Sequence, residues 1–305
     1  MNATRKTAAK PAVQEQEPDL VSWIILVTLS LIWGSSYILI KKSLVVYSSM
    51  QVACLRLAIS AICFLPVLLW YFRRVDWSRW RFLLLVGLTG TAIPAFMFSI
   101  AQTEISSSMA GVLNSLVPLF TLVLGVLLFG AKAPWVKLLG VLIGLAGAAM
   151  LILLGKQAGA EGNPWYGLLV IVGCICYAIS SNTVGTFLRD MKALVISAAS
   201  FTIVGIPAFA YLFRTDFLHK LELQTGAWEA LGYVALLSVF GTVLASLIFF
   251  QLVQRTSPVF ASMISYLVPA VAVSWGVADG ENISIIHFIG MGLILSGVYL
   301  VKKKG

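Results

Sequence analysis

The sequence has 305 residues, of which 60% are hydrophobic and 11% are charged, with 21 Lys and Arg against 12 Asp and Glu. Because an ordinary soluble domain is about 25% charged, this composition excludes a soluble enzyme. One membrane span needs about 20 apolar residues, so the sequence could supply about nine or ten spans. We interpret the net charge of +9 as tail and loop charge that orients these spans, not as a nucleic-acid-binding surface.

The first segment, residues 1–19, is rich in Ala, Pro, Gln, Glu and Lys and predicts a disordered cytoplasmic tail. The apolar runs that follow predict an all-α membrane protein with ten transmembrane helices. These helices are predicted at residues 20–40, 49–72, 81–102, 106–130, 134–154, 164–187, 193–213, 227–250, 257–278 and 283–301. The four cysteines all lie in apolar runs, which favours small packing residues over a disulfide framework or a metal site.

Lys and Arg are distributed unequally between the two predicted sides of the membrane. If the N-terminus is inside, the inner side carries fifteen of them, and one, Arg56, lies within a helix. The five in outer loops are Lys41, Lys42, Lys156, Arg214 and Lys220. Since positive residues favour the cytoplasmic side, we expect a multi-pass inner membrane protein with both termini in the cytoplasm.

The chain also repeats itself at an offset of about 150 residues. The segment 109–118 matches the segment 260–269, and the Gly-x6-Gly spacing that begins at Gly140 recurs from Gly290. Because each copy has five helices, an odd number of crossings, the second copy starts on the opposite side of the membrane. This is the inverted-repeat plan of secondary transporters. The predicted domains are a first repeat at 20–154 and a second at 155–302.

Several of these features together carry a family resemblance. They are the stretch Trp33-Gly34-Ser35-Ser36, the paired Leu-Val-Pro segments, Gly280-Glu281 before the last helix, and the repeated Gly-x6-Gly spacing. Over about residues 20–302, as two copies, the sequence resembles the EamA family of the drug/metabolite transporter superfamily. The resemblance implies a carrier without a cofactor that exports amino acids or related metabolites by alternating access. The family pattern usually has Glu where this sequence has Ala131, so only Glu281 is kept.

Acidic residues occur only in tails, loops or helix ends, as with Glu104, Asp279 and Glu281. Proton-coupled carriers often use an acid inside the membrane, so the sequence favours facilitated exchange or efflux. The two histidines, His219 and His287, belong to no metal-binding or hydrolytic motif. We therefore predict no catalytic or metal site.

Two matching Pro-containing segments are the strongest candidates for a binding level. Pro118 follows Asn114 by four residues, and Pro269 follows Ser265 by four. Each Pro removes a helix hydrogen bond and frees the carbonyl four residues earlier. Both prolines lie about 18 Å into their helices, close to the membrane centre, where freed backbone groups need protein, water or substrate as partners. The alternative is a pair of kinks that are satisfied internally.

Other polar and aromatic side chains complete the predicted cavity. The candidate substrate-binding residues are Trp33, Ser36, Tyr37, Phe98, Gln102, Asn114, Tyr177, Ser181, Phe249 and Ser265. Some of these residues have an alternative structural role. Trp33 could pack in the core, Gln102 could lie at the membrane interface, and Tyr177 and Ser181 could form hydrogen bonds between helices. Gly34, beside a Trp, suits a flexible point, so the predicted hinges are Gly34, Pro118 and Pro269.

Three cations and two sets of glycines have more than one interpretation. Arg56 lies about 10 Å below the start of its helix and could neutralise a substrate carboxylate, although snorkelling outward is the more ordinary role. Lys41 and Lys42 are expected to anchor the first helix at the interface.

The fifth and tenth helices are rich in glycine. Their glycines predict close helix contacts and would allow a homodimer; they are Gly140, Gly144, Gly147, Gly290, Gly292 and Gly297.

The sequence as a whole predicts a secondary transporter, not an enzyme, that moves a small organic solute through the lipid bilayer and has no nucleic-acid partner. Export of amino acids or related metabolites is the favoured activity. A carrier of phosphorylated or nucleotide-linked solutes is the first alternative, but it would want a basic cavity and only Arg56 is available. An intramembrane enzyme and a membrane scaffold without transport are the alternatives from other classes.

Overall fold

The computed structural model describes residues 18–130, 135–154 and 162–302, and within these ranges all regular secondary structure is helical. Helices are found at all ten predicted positions. We number them α1 Leu20–Leu44, α2 Ser49–Arg74, α3 Trp77–Ala101, α4 Ser107–Phe129, α5 Trp135–Leu153, α6 Pro164–Phe187, α7 Ala193–Leu212, α8 Ala227–Arg255, α9 Pro258–Ala278 and α10 Ile285–Lys302. Most of the predicted tail, Ala131 and the predicted boundary at residue 155 lie outside the described residues.

Eight of these helices in the described chain are long and apolar enough to cross a membrane, and α5 and α10 contain shorter apolar stretches. The predicted ends are wrong by several residues in places, since α1 continues to Leu44 and α8 to Arg255. A short helix, Phe217–Leu223, lies in the connection between α7 and α8 and was not predicted. Its seven residues are too few for a hydrophobic period to stand out from a loop.

At the predicted kinks, α4 and α9 each contain a short 3-10 turn that interrupts the α-helix. In α4 a 3-10 turn, Asn114–Leu116, separates Ser107–Leu113 from Val117–Phe129. In α9 the turn Met263–Tyr266 comes before the helix Val268–Ala278. Pro118 and Pro269 each stand second in the new helix, where a missing N–H costs nothing because the first turn has no partner for it.

Two other helices are interrupted in a different way. A π-helical segment, Leu88–Ala92, lies within α3, and another, Val239–Leu244, lies within α8. Their starts are 151 residues apart, as are the starts of the second halves of α4 and α9, at Val117 and Val268. The interruptions therefore recur at the spacing found in the sequence.

The glycines of α5 and α10 are used within one chain. A Cβ at Gly147 would lie 2.8 Å from the carbonyl oxygen of Gly290, and a Cβ at Gly297 would lie 2.6 Å from the nitrogen of Gly144. These two helices can pack closely only because side chains are missing at those positions. Gly147 and Gly297 thus serve packing within one chain, whereas a Cβ at Gly292 would meet nothing within 4 Å.

Gly34, one of the predicted hinge residues, has a packing role in the structure. It lies inside the uninterrupted helix α1, and a Cβ there would overlap the side chain of Val271 in α9. The absence of a side chain lets α1 approach the second half of α9 just after its break. This glycine therefore fixes a close helix contact.

At one end of the molecule, a buried carboxylate joins three helices. The side chain of Glu281, only 4% exposed, accepts hydrogen bonds from the backbone N–H groups of Ser107 and Ser108 at 3.0 and 3.1 Å, and from both hydroxyls. A carboxylate at a helix N-terminus is favoured by the unpaired N–H groups and the helix dipole. Lys41 pairs with Glu281 at 2.9 Å and with Asp279 at 2.7 Å. The expected interfacial anchor is therefore an ion-paired cluster, in which Lys42 also pairs with Asp279.

The matching N-terminus of α9 is built differently. Ser106 and Ser257 cap α4 and α9 in the same way, each accepting from the backbone N–H three residues later. After the cap, however, α4 has Ser107 and α9 has Pro258, which has no N–H. The opposite end of the molecule has exposed pairs instead, Arg255 with Asp19 at 3.3 Å and Arg79 with Asp190 at 2.5 Å.

The Glu281 cluster predicts an acid-dependent loss of stability. Burial raises the pKa of Glu281, but the hydrogen bonds from Ser108, Ser107 and Lys41 outweigh it and hold the pKa below its usual value. A carboxyl with a lowered folded-state pKa stabilises the fold above its unfolded pKa, about 4.3, and loses that stabilisation as the pH falls through the folded pKa. We expect Glu281→Gln to lower the melting temperature at pH 7, by the equivalent of about 1–3 kcal/mol, and to flatten the decline below about pH 4.3.

Melting temperatures of the purified protein in detergent from pH 7 to pH 3 would measure this. The control is Glu222→Gln, which removes the same charge from an exposed side chain. Equal melting temperatures for Glu281→Gln and the wild type across the whole range would contradict the prediction.

Candidate functional site

The helix interruptions surround an internal cavity. Its volume, taken as the space open to the centres of water-sized spheres, is about 90 Å³. One water needs about 10–15 Å³ by the same measure, so the cavity has room for several waters or a small solute. Its lining residues come from α1, α2, α3, α4, α6, α7, α8 and α9, whereas α5 and α10 lie outside the wall in the described chain.

Eight of the ten predicted binding residues lie together around this cavity. They are Trp33, Ser36, Tyr37, Phe98, Asn114, Tyr177, Phe249 and Ser265. The other two, Gln102 and Ser181, are buried but do not line it, and their side-chain polar atoms have no hydrogen-bond partner in the described chain. In α6 the neighbouring hydroxyl, Ser180, faces the cavity instead.

Aromatic rings form much of the wall. The Trp33 and Phe249 rings are 5.1 Å apart, and Phe98 lies between Tyr37 and Tyr177 at 5.8 and 5.9 Å. Such tilted pairs at these distances are favourable and hold one another in place. The predicted aromatic lining thus consists of two separate groups of contacting rings. One pairs Trp33 of α1 with Phe249 of α8, and the other joins Phe98 of α3 to Tyr37 of α1 and Tyr177 of α6.

Polar groups at the helix interruptions are bonded to neighbouring helices. The indole Nε1 of Trp33 donates to the carbonyl of Gly241, in the π-helical segment of α8, at 2.9 Å. The Ser30 hydroxyl donates to the carbonyl of Ile264, in the α9 break, at 3.1 Å. Side chains of α1 therefore contact carbonyls in both interrupted segments, although the Ile264 carbonyl also accepts from the backbone N–H of Leu267 and the Ser30 hydroxyl is also 2.7 Å from the Leu26 carbonyl.

Two glycine–serine contacts set the distance between helices at the wall. A Cβ at Gly241 would lie 2.7 Å from Ser36 Oγ, and a Cβ at Gly90 would lie 2.5 Å from Ser180 Oγ. Both glycines lie in the π-helical segments and are 151 residues apart. A side chain at either position would push a polar wall residue away, so the glycines bring Ser36 and Ser180 to the cavity.

Arg56 is buried at the cavity, contrary to the outward role that the sequence favoured. The residue is only 8% exposed, lines the cavity, and donates from Nε to the Thr242 hydroxyl at 2.7 Å. It does not snorkel outward. The available signal was its position well inside an apolar helix, where an unpaired cation is expensive and marks a functional site by default.

The same family model matches the chain twice, at residues 21–153 and 164–302, and it describes the EamA-like transporter family. The chain belongs to this family. These matches agree with the resemblance seen in the sequence, and with the helical fold they make the protein a multi-pass membrane protein of a transporter family.

Individual relatives cover nearly the whole chain. An uncharacterised inner membrane transporter, YedA of Escherichia coli K12, is 31% identical over 90% of this chain and 89% of its own length. An uncharacterised transporter of Archaeoglobus fulgidus is 24% identical over 92% of this chain and 99% of its own. One protein of known crystal structure matches with a TM-score of 0.62 over 92% of this chain and 96% of its own, at 19% identity, which shows the fold alone.

The two neighbouring serines of α6 allow a direct test of the cavity. In a background with all four native cysteines replaced by alanine, we expect Ser180→Cys to react with a small water-soluble methanethiosulfonate, because its side chain faces the cavity. Ser181→Cys, buried outside the cavity, should react at least tenfold more slowly. Mass spectrometry of the intact protein would measure the modified fraction over time, and equal rates at the two positions would contradict the cavity wall described here.

Proposed function

We propose that this protein is a secondary transporter that moves a small organic solute, an amino acid or related metabolite, through the cavity by alternating access. The observation that carries the proposal is that the helix interruptions in α3, α4 and α9 line one polar and aromatic cavity, while the interruption in α8 bonds to the wall residues Trp33 and Arg56. Discontinuous helices near the middle of the membrane are the usual place for substrate binding in such carriers. The name of the E. coli relative supports an inner membrane location.

Alternating access would follow from two inverted repeats, residues 20–154 and 155–302. Their support is the double family match and the recurrence of breaks and π-helical segments 151 residues apart. Movement of one repeat against the other would expose the cavity to each side in turn. The charge distribution favours both termini in the cytoplasm.

The cavity disfavours the other candidate functions. A phosphorylated or nucleotide-linked solute would need several cations, and Arg56 is the one cationic side chain among the lining residues that the structure describes. An intramembrane hydrolase would need an acid pair, a metal cluster or a nucleophile with a base, and the described residues contain no group of three metal-binding side chains.

Transport without proton coupling is the first test. In proteoliposomes loaded with unlabelled amino acids, we expect counterflow of the labelled substrate to continue after an uncoupler collapses the proton gradient, because the described cavity lining contains no Asp or Glu to carry a proton. Strict dependence on an imposed pH gradient, with no counterflow, would overturn this prediction. Liposomes without protein are the control.

The break in α4 gives a second test. Asn114→Ala removes a donor and an acceptor from the cavity wall but leaves Pro118 and the 3-10 turn in place. Losing a hydrogen bond to a desolvated substrate costs about 1–3 kcal/mol, so we expect the apparent affinity in counterflow to fall by about 5- to 150-fold. Ser265→Ala, which loses only a hydroxyl, should cost less.

The control is Ser115→Ala in the same turn, because Ser115 is buried but does not line the cavity. Its affinity should stay within about twofold of the wild type, since no substrate contact is removed. Unchanged affinity and rate in Asn114→Ala, at normal expression, would show that Asn114 is structural.

A further inference from the structure

The cavity contains a buried cation that has no acidic partner. Arg56 is 8% exposed, and among the described residues no Asp or Glu lies within ion-pair distance of it. A buried charge without a counter-charge is strongly destabilising, and a bound group of opposite sign removes that cost. The structure therefore leaves a place for an anion beside Arg56.

The neighbours of Arg56 fix its orientation but do not neutralise it. Its Nε donates to Thr242 Oγ1 at 2.7 Å, and Thr242 Oγ1 in turn lies 3.4 Å from the carbonyl of Leu237, across the π-helical segment of α8. The Tyr177 hydroxyl also lies near the guanidinium. With Nε occupied by a neutral hydroxyl, the terminal N–H groups of the guanidinium remain to bind a ligand.

The charge and shape of the cavity restrict what this ligand can be. The lining has one cation and, within the described chain, no Asp, Glu, Lys or His. A single guanidinium matches a carboxylate in charge and in bidentate geometry. A phosphate ester carries nearly two negative charges and would leave one unpaired.

The remainder of the wall is apolar or neutral. Trp33, Phe249, Phe98 and Tyr37 present rings, and Ser180 presents a hydroxyl that has no partner within the described chain. Rings of this kind suit an aromatic or branched apolar body. An ammonium group would find no carboxylate here.

We propose that the cavity binds small monocarboxylates with an aromatic or branched apolar body, that the carboxylate pairs with Arg56, and that an α-amino group is not required for binding. This inference rests on the proposal that the cavity is the transport site, and it names the part of the substrate that the protein recognises. Amino acids would then be one kind of accepted ligand, and the corresponding acids without the amino group would be another.

Binding to the purified full-length protein in detergent tests this without transport. Apparent dissociation constants would be measured from the dependence of melting temperature on ligand concentration, for 3-phenylpropionate, phenylalanine, 3-phenylpropanamide and phenylalaninamide. We expect the two carboxylates to bind within about threefold of each other and each amide to bind about 10- to 150-fold more weakly, because the amide loses a charge-assisted hydrogen bond. Phenyl phosphate and chloride are included as the competing anions, and both should bind more weakly than 3-phenylpropionate.

Arg56→Gln should abolish the preference for the acid over its amide, and Arg56→Lys, which keeps the charge but not the fork of N–H groups, should keep part of it. The matched control is Arg81→Gln, which removes an exposed cation far from the cavity lining. Carboxylate binding that is unchanged in Arg56→Gln would overturn the inference. If that variant does not fold, the wild-type ligand series decides, since equal binding of acids and amides, or tighter phenyl phosphate binding, would also overturn it.

Counterflow of the same ligands separates this inference from the proposed function. Carboxylate binding that depends on Arg56, with no counterflow of any ligand, would refute transport and leave the anion site standing. Counterflow of acids and amides at equal rates and affinities would support transport and refute the role of Arg56.

Discussion

A bilayer offers no hydrogen-bond partner to a backbone group, and this constraint explains where the helices of this protein are interrupted. A break that faced lipid would leave bare carbonyls in hydrocarbon. Residues of the interruptions in α3, α4 and α9 line the cavity, the segment in α8 packs against its wall, and side chains from α1 and α6 bond to carbonyls at or beside three of the four. One of these bonds is weak, from Cys174 Sγ to the carbonyl of Leu113 at 3.7 Å. The cavity is therefore the place where irregular backbone can exist.

The sequence predicts the helices well because twenty-residue apolar runs have few alternatives. Eight of the ten candidate residues also line one cavity, since Asn114 and Pro118, or Trp33 beside a glycine, stand out within apolar helices. The sequence fails where the outcome depends on rotation about a helix axis. Ser180 and Ser181 differ by about 100° around α6, and no local signal says which of them faces the cavity.

Long-range pairing is the other part that the sequence could not supply. Lys41 and Glu281 are 240 residues apart, and Arg56 and Thr242 are 186 apart. The π-helical segment that brings Thr242 to Arg56 and the carbonyl of Gly241 to Trp33 has no simple signature in residue pattern. The sequence favoured interfacial anchoring for Lys41 and snorkelling over a substrate contact for Arg56, whereas in the structure Lys41 pairs with Asp279 and the buried Glu281, and Arg56 lines the cavity.

The N-termini of α4 and α9 differ in the interactions available to fix them in place. At α4, two N–H groups and two hydroxyls converge on one carboxylate, so the helix end is fastened to the loop before α10 by bonds that protonation would weaken. At α9, Pro258 offers a carboxylate one donor fewer, and the pairs at that end are exposed and easily screened by salt. The bonds that hold the start of α4 are therefore buried and depend on one carboxylate, whereas the ion pairs at the opposite face are exposed, although both helices begin with the same serine cap.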